Sequence, residues 1–473
     1  MVYSHGSLGL WVKSKILSCK ACPPKKFDGT WVLDKVFFWS SSSNSNNRNN
    51  AWNFNGNEGN LSNDNRNNTN SVRCVASSRD NPCPFSFDEV YRAYKLCRKR
   101  KRPSPDQIRF ELKLSESLRR LTDELNRGDY EISPYRCFIV EKPKPREIFA
   151  ANFRDRVVHH VIVTRLQPIW EKKFHYGSFA CRKDKGTHAA LKYLIKKHAS
   201  VSQGEKKEVF FLQLDLASFF VTINRQILFD LVDPTITDDF FRALVAKVIL
   251  YNPIKDVVVK SSENEKKLIP PYKSFFHREY PEQGIPIGNL TSQFGANVYL
   301  NSLDHFVTRG LQVGAYQRYM DDLLLIDTSK EKLFSLIAPI TEWVLKNRQQ
   351  VINPKKTIIG SFKTESMNYL GYRISEKEGS LKLFAHEEKK WKLVEEARRI
   401  EDEVSFLPQN FHPLWPQRKV PRLCESSLAK IRSRLGYFSH SESHLFKMKV
   451  LNRLKGSLDA KAEFFGARKC KVI

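Results

Sequence analysis

Asp215 lies in the run EVFFLQLDL (Glu208–Leu216), and Asp321 with Asp322 sit inside YQRYMDDLLLID (Tyr316–Asp327). Carboxylates are costly to desolvate, so acids set in apolar runs call for a cation. Hard oxygen ligands from two neighbouring strands suit Mg²⁺, and two such ions can clamp both sides of a phosphoryl transfer. One ion would activate an attacking hydroxyl, and the other would neutralise charge on a leaving pyrophosphate. A bare Asp-Asp pair is also an ordinary turn, because Asp hydrogen-bonds its own backbone there. The surroundings of the acids have to decide.

Those surroundings predict the elements that would carry them. EVFFLQLDL is short, apolar and rich in β-formers, which reads as a buried strand; YQRYMDDLLLID reads as two strands joined by a tight polar turn. Tyr135 to Ile148 also reads as strand, followed by helical stretches at Arg154–Trp170 and Thr187–His198. Upstream, Ser86 with Asp88 and Glu89 makes a helix N-cap. Ser104, Pro105 and Asp106 open a second helix carrying Leu112, Leu114, Leu118, Leu121 and Leu125. Between them, RKRKRPSPD (Arg98–Asp106) is either a solvated helix end or a phosphate contact. After Phe384 the chain is helical and basic, broken once by PQNFHPLWPQRKVP (Pro408–Pro421), and no internal repeat is visible.

At 473 residues, with 41% hydrophobic and 12% aromatic residues, the chain can bury a core and hold two or three domains. A net charge of +28 exceeds what solubility requires and points to a polyanion, whose counterions are released on binding. No apolar run approaches the ~20 residues of a membrane span, and the start lacks a signal-peptide pattern, so an intracellular protein is expected. The nine cysteines are irregularly spaced; Cys19 and Cys22 form a lone CxxC without a second pair, so neither a disulfide framework nor a zinc site is expected. Fourteen asparagines crowd Asn44–Asn70, a composition typical of disorder.

LDLASFF (Leu214–Phe220) and YMDD (Tyr319–Asp322), in this order, resemble the paired catalytic motifs of reverse transcriptases. EKPKPREI, RDRVVHHVI, GSFACRKDKGTHAAL, QGIPIGNLTSQFGANVYLNSLD, INPKKT and NYLGYRI resemble the family's other blocks, so the likeness runs from about Tyr130 to Ile374. It implies an α+β right-hand polymerase: fingers and a palm with an antiparallel sheet flanked by helices (81–383), then a basic helical thumb-like region (384–473). Asp215 and Asp321 would bind two Mg²⁺ ions, with Asp322 as a weaker supporting carboxylate. Phe220 would be the steric gate against a ribose 2′-OH, so deoxynucleoside triphosphates would be the substrates. Lys144 and Arg146, with Lys142 beside them, would meet the triphosphate. Gln283 and Gly284 would open the nucleotide-facing motif, where a missing side chain lets backbone approach substrate. Ser292 and Gln293 would lie near the templating base. Lys355 or Lys356 would protonate the pyrophosphate, and Tyr369 to Tyr372 would hold the primer end.

IGNLTSQ (Ile287–Gln293) resembles the reverse transcriptases of diversity-generating retroelements, which misincorporate opposite template adenines. That subtype implies a template RNA and its RNA/cDNA hybrid, a small basic accessory variability protein, and the cytoplasm of a bacterium or phage-infected host. The accessory protein or RNA could dock on the basic tail or on Arg98–Arg102. Residues 1–80 would be the translated end of a template repeat. A retron- or group II intron-type enzyme is the alternative, and a non-catalytic RNA-binding protein the alternative from another class.

Overall fold

The computed structural model describes residues 84–99, 103–141, 144–204, 206–405, 425–438, 441–443 and 445–454, and the backbone of short strands before them. Through the Asn tract, where composition suggested disorder, Phe37–Asn44, Asn47–Asn55 and Asn60–Asn65 pair as an antiparallel meander. Lys142 and the Pro-rich break after Pro408 lie outside the described residues. Among the described residues no helix is long and apolar enough to cross a membrane.

The chain forms two units that interleave in sequence: Met1–Ile169 with Arg225–Phe294, and Trp170–Asn224 with Gly295–Ile473. Residues 81–383 contribute to both units, because the chain leaves each unit and returns to it. In the first unit, Ser86 caps helix Phe87–Arg98 through its side chain, which accepts from Glu89 N–H. Such a cap stabilises a helix by ~1 kcal/mol. The expected second helix is two helices, Pro105–Leu112 and Leu114–Arg127, because Lys113 leaves helical geometry at φ −126°. Leu118, Leu121 and Leu125 are buried as their spacing predicts, whereas Leu112 is 78% exposed. Strands Arg136–Val140 and Arg146–Ala150 pair antiparallel, and Val258–Val259 adds a parallel edge.

The second unit holds a four-stranded antiparallel sheet of β1 (Phe210–Asp215), β2 (Tyr316–Tyr319), β3 (Asp322–Asp327) and β4 (Ile358–Ser361), in the order β2-β3-β1-β4. Phe211, Leu212, Leu214 and Leu323 to Ile326 are all buried. Consecutive rather than alternating burial means that both faces are covered, which is why these strands read as continuous apolar runs. A second sheet follows: β5 (Met367–Tyr369), β6 (Tyr372–Lys377) and β7 (Ser380–Ala385). Helix Thr187–Val201, with Leu191 and Leu194, shares one core with Phe211, Leu324, Phe362, Tyr369, Ile374 and Leu383. Beyond β7, helices Glu387–Ser405 and Glu425–Phe438 and residues 445–454 enclose Leu393, Ile400, Ile431, Leu435 and Leu454.

Candidate active site

The register of the first sheet assembles the acids. Asp322 at the start of β3 lies directly opposite Asp215 at the end of β1. Directly paired residues point to the same face, so the two carboxylates face each other. Tyr319 pairs with Asp322, which leaves Met320 and Asp321 as a two-residue loop. Leu216 N–H donates to the Asp321 carbonyl at 3.4 Å, tying that loop to the end of β1. Asp215 is 6% exposed. Burial, then the charges of Asp321 and Asp215, push the Asp322 carboxyl up to about 7, with Lys356 opposing the shift. Three acids have been gathered where positive charge is needed.

Lys356 supplies one such charge, its Nζ standing 2.6 Å from Asp215 Oδ1. The chain is held there by a short lattice: Ala217 N–H donates to Val351 O, Asn353 N–H donates to Asp215 O, and the Asn353 side chain caps the turn Pro354–Lys356. The two lysines of INPKKT are thereby distinguished: Lys356 reaches the acids, and Lys355 is exposed with only its main chain engaged by Asn353. Phe220 is half-buried, set edge-on to Phe219, while Phe219 is the core residue against Tyr299. In the hairpin expected to hold a primer, the rings of Tyr369 and Tyr372 are buried, and Tyr372 donates to Tyr437 O. What that hairpin presents is its turn, Leu370–Gly371, with exposed Asn368 and Arg373.

The remaining expected residues belong to the first unit. Lys144 and Arg146 are exposed at the hairpin of EKPKPREI. Beside them buried Glu147 accepts from Ser274 Oγ and Phe275 N–H. Gln283 is buried, and Gly284 has φ +93° with Phe275 so close that a Cβ would stand 2.9 Å from its ring. Ile287 and Gln293 are partly exposed, and Ser292 is buried at the start of helix Leu290–His305. Two arginines that the sequence does not flag clamp this motif. Arg225 donates to the carbonyls of Pro281, Gln283, Gly284 and Leu250, and Arg278 donates to Gln283 O. Burial, then the neighbouring Arg278, bring the Arg225 guanidinium down to about 10. Their partners are main-chain carbonyls and, for Arg278, also the Asn252 side chain, some far away in sequence, so spacing carries no trace of them.

Among the described residues no three metal-binding side chains stand preassembled. The chemistry of the acids nonetheless fits divalent cations. Two carboxylates cannot face each other ionised without a cation or a proton between them, and Asp322 responds by holding its proton. Asp215 and Asp321 are the residues that would take the metal, with Asp322 in support.

Residues 140–374 match the reverse transcriptase (RNA-dependent DNA polymerase) family. Protein YkfC of Escherichia coli is 25% identical over 299 residues, which cover 56% of this chain and 73% of that protein. The group II intron-encoded protein LtrA of Lactococcus lactis is 24% identical over 195 residues, 41% of this chain and 28% of its own length. Among solved structures, a telomerase from Candida albicans with a telomeric RNA fragment aligns with TM-score 0.38 and 11% identity over 71% of this chain and 59% of its own. Apo telomerase from Candida tropicalis aligns with TM-score 0.40 and 12% identity over 54% and 56%. Domains of the matched family generally use divalent metal ions and deoxynucleoside triphosphates. Residues 140–374, with Asp215, Asp321 and Asp322 inside them, are a reverse transcriptase domain, the catalytic frame of an RNA-directed DNA polymerase.

Proposed function

We propose that this chain extends a DNA primer on an RNA template, with Asp215 and Asp321 as the ligands of two Mg²⁺ ions. The register that sets Asp322 opposite Asp215, with Asp321 on the adjoining loop, carries the reading. In the reaction the primer 3′-oxygen bonds to the α-phosphorus of the incoming nucleotide as the α–β bridging P–O bond breaks, releasing pyrophosphate. Bound Mg²⁺ supplies charge neutralisation for both oxygens. Lys356, already at the acids, is the lysine to protonate or neutralise the pyrophosphate. Phe220 excludes a ribose 2′-OH, and Lys144 and Arg146 meet the triphosphate, with Lys142 beside them. Gln283, Gly284 and Ser292 belong to the nucleotide-facing motif.

The likeness to YkfC and LtrA supports an enzyme of the group II intron or retron kind. Within that kind we favour the diversity-generating subtype, on the strength of IGNLTSQ at Ile287–Gln293 and the Asn tract at Asn44–Asn70. Discrimination between nucleotides is a difference in transition-state binding, so a pocket looser by ~2–3 kcal/mol loses about 30- to 150-fold selectivity. This subtype brings a basic accessory protein, in a bacterial or phage-infected cytoplasm, and makes residues 1–80 the translated end of a template repeat. Sequencing of cDNA made on a defined RNA tests the subtype: errors concentrated at template adenines, altered by changing Ile287 or Gln293, are expected. An even, low error rate would leave the intron or retron reading in its place.

A further inference from the structure

The loop that carries Asp321 rests on a buried arginine whose partners account for its whole hydrogen-bonding capacity. Arg318 and Asp304 are both 0% exposed. A guanidinium has five N–H donors. Arg318 Nε donates to Asp304 Oδ1 at 2.7 Å, and Nη2 donates to Asp304 Oδ2 at 2.8 Å and Ser178 Oγ at 3.1 Å. Nη1 donates to Asn297 Oδ1 at 3.3 Å and to the carbonyl of Met320 at 2.8 Å. Tyr316 OH also donates to Asp304, at 2.6 Å. The main chain is fixed as well, Arg318 N–H donating to Gly177 O and Phe179 N–H to Arg318 O.

The Met320 carbonyl belongs to the peptide that leads into Asp321. Met320 has φ +60°, a conformation that favours glycine and that a side chain adopts at a cost. Something must hold that peptide, and the Arg318 fork reaches it. We propose that Arg318, locked by Asp304, Ser178 and Asn297, is the positioning residue of the catalytic loop, fixing the Met320–Asp321 peptide and hence the Asp321 carboxylate. This rests on the polymerase reading. A planar fork suits the task because one rigid group spans the ion pair and the loop carbonyl together; a lysine ammonium is a point charge and cannot.

Steady-state primer extension on an RNA template by the full chain, with thermal unfolding of each variant, tests the proposal. Activity of the wild type and its loss in Asp321→Asn check the polymerase reading separately. For Arg318→Lys that folds, kcat should drop about 30- to 100-fold, as expected for a reacting group displaced by about an ångström. KM for the nucleotide should stay within about 2-fold, since binding is not what the fork supplies. Adding Met320→Gly should return about 5-fold or more of the lost rate, because glycine takes positive φ without a tether. A kcat within about 2-fold of wild type, or a loss that Met320→Gly leaves untouched, would overturn it. If Arg318→Lys does not fold, Ser178→Ala decides, since it removes one anchor and spares the ion pair. A drop of about 3-fold in kcat at constant KM supports the proposal, and an unchanged kcat overturns it.

Discussion

The second unit contains two kinds of tight hairpin, and they solve the same problem differently. In the second sheet, Tyr369 pairs with Tyr372 and Lys377 with Ser380. Their two-residue loops, Leu370–Gly371 and Glu378–Gly379, have positive φ at both positions. This is the turn that matches strand twist, and glycine makes it cheap. The acidic hairpin of β2 and β3 also has a two-residue loop, but no glycine: Met320 takes the positive φ and Asp321 follows it. Its cost is met by contacts from outside the two loop residues, from the Arg318 side chain on the adjoining strand and from the Leu216 N–H. In the second sheet both turns place a glycine at a positive φ, and the Tyr437 hydroxyl also donates to the Gly371 carbonyl. The acidic turn, which has no glycine, leans on its surroundings, and these surroundings leave the carboxylates crowded and short of positive charge.

Within this comparison, the largest expected effect tests that shortage. Lys356→Ala removes the cation at Asp215 and the proton donor proposed for pyrophosphate, so kcat should fall about 100-fold. Lys355→Ala, whose side chain is exposed, should stay within about 3-fold, as surface changes do. Equal losses in extension assays would erase the distinction between the two lysines.

The next effect is one of pH. The folded chain holds Asp322 protonated up to about 7, whereas an unfolded chain releases this proton near pH 4. Without divalent metal, this group therefore costs nothing below the unfolded pKa, and stability falls as pH rises from about 4 through about 7. Asp322→Asn removes the penalty. In EDTA its advantage in Tm should open from pH 5 to pH 8, reaching about 2–4 °C. Parallel Tm curves for the two proteins would show that the carboxylates do not repel as described. The smallest effect compares the loops directly. Gly379→Ala, at φ +69°, should cost about 1–2 kcal/mol in denaturant unfolding with activity per folded molecule unchanged. Met320→Gly should be neutral or stabilising by up to ~1 kcal/mol.

Local signals made much of this legible in the sequence. The buried strands were visible because FFLQLD and DLLLID are mostly apolar, and a tight turn because polar residues interrupt YQRYMDDLLLID, although the loop is Met320–Asp321 and Asp322 opens β3. The Ser86 cap was visible because capping is written within four residues, and the helix start at Pro105 because proline suits the first helical position, although the Ser104 side chain makes no capping bond. The helix break at Lys113 was not, since leucine spacing continues across it. Nor was the choice between Lys355 and Lys356, which depends on the phase of a short turn set by Asn353. The arginines were least visible. Arg225 clamps carbonyls more than 50 residues away, and Arg318 meets Asp304 and Ser178 at 14 and 140 residues' separation. Such partners are set by tertiary folding, and charged residues in a sequence do not announce that they will be buried.

Extension of a DNA primer on an RNA template with Mg²⁺ and deoxynucleoside triphosphates, by the wild type and by Asp321→Asn purified alike, tests the central claim most directly. We expect templated DNA from the wild type and a fall of at least about 10³-fold in the variant, with its thermal unfolding preserved. Equal extension by both proteins would contradict the assignment of the Met320–Asp321 loop as the catalytic centre.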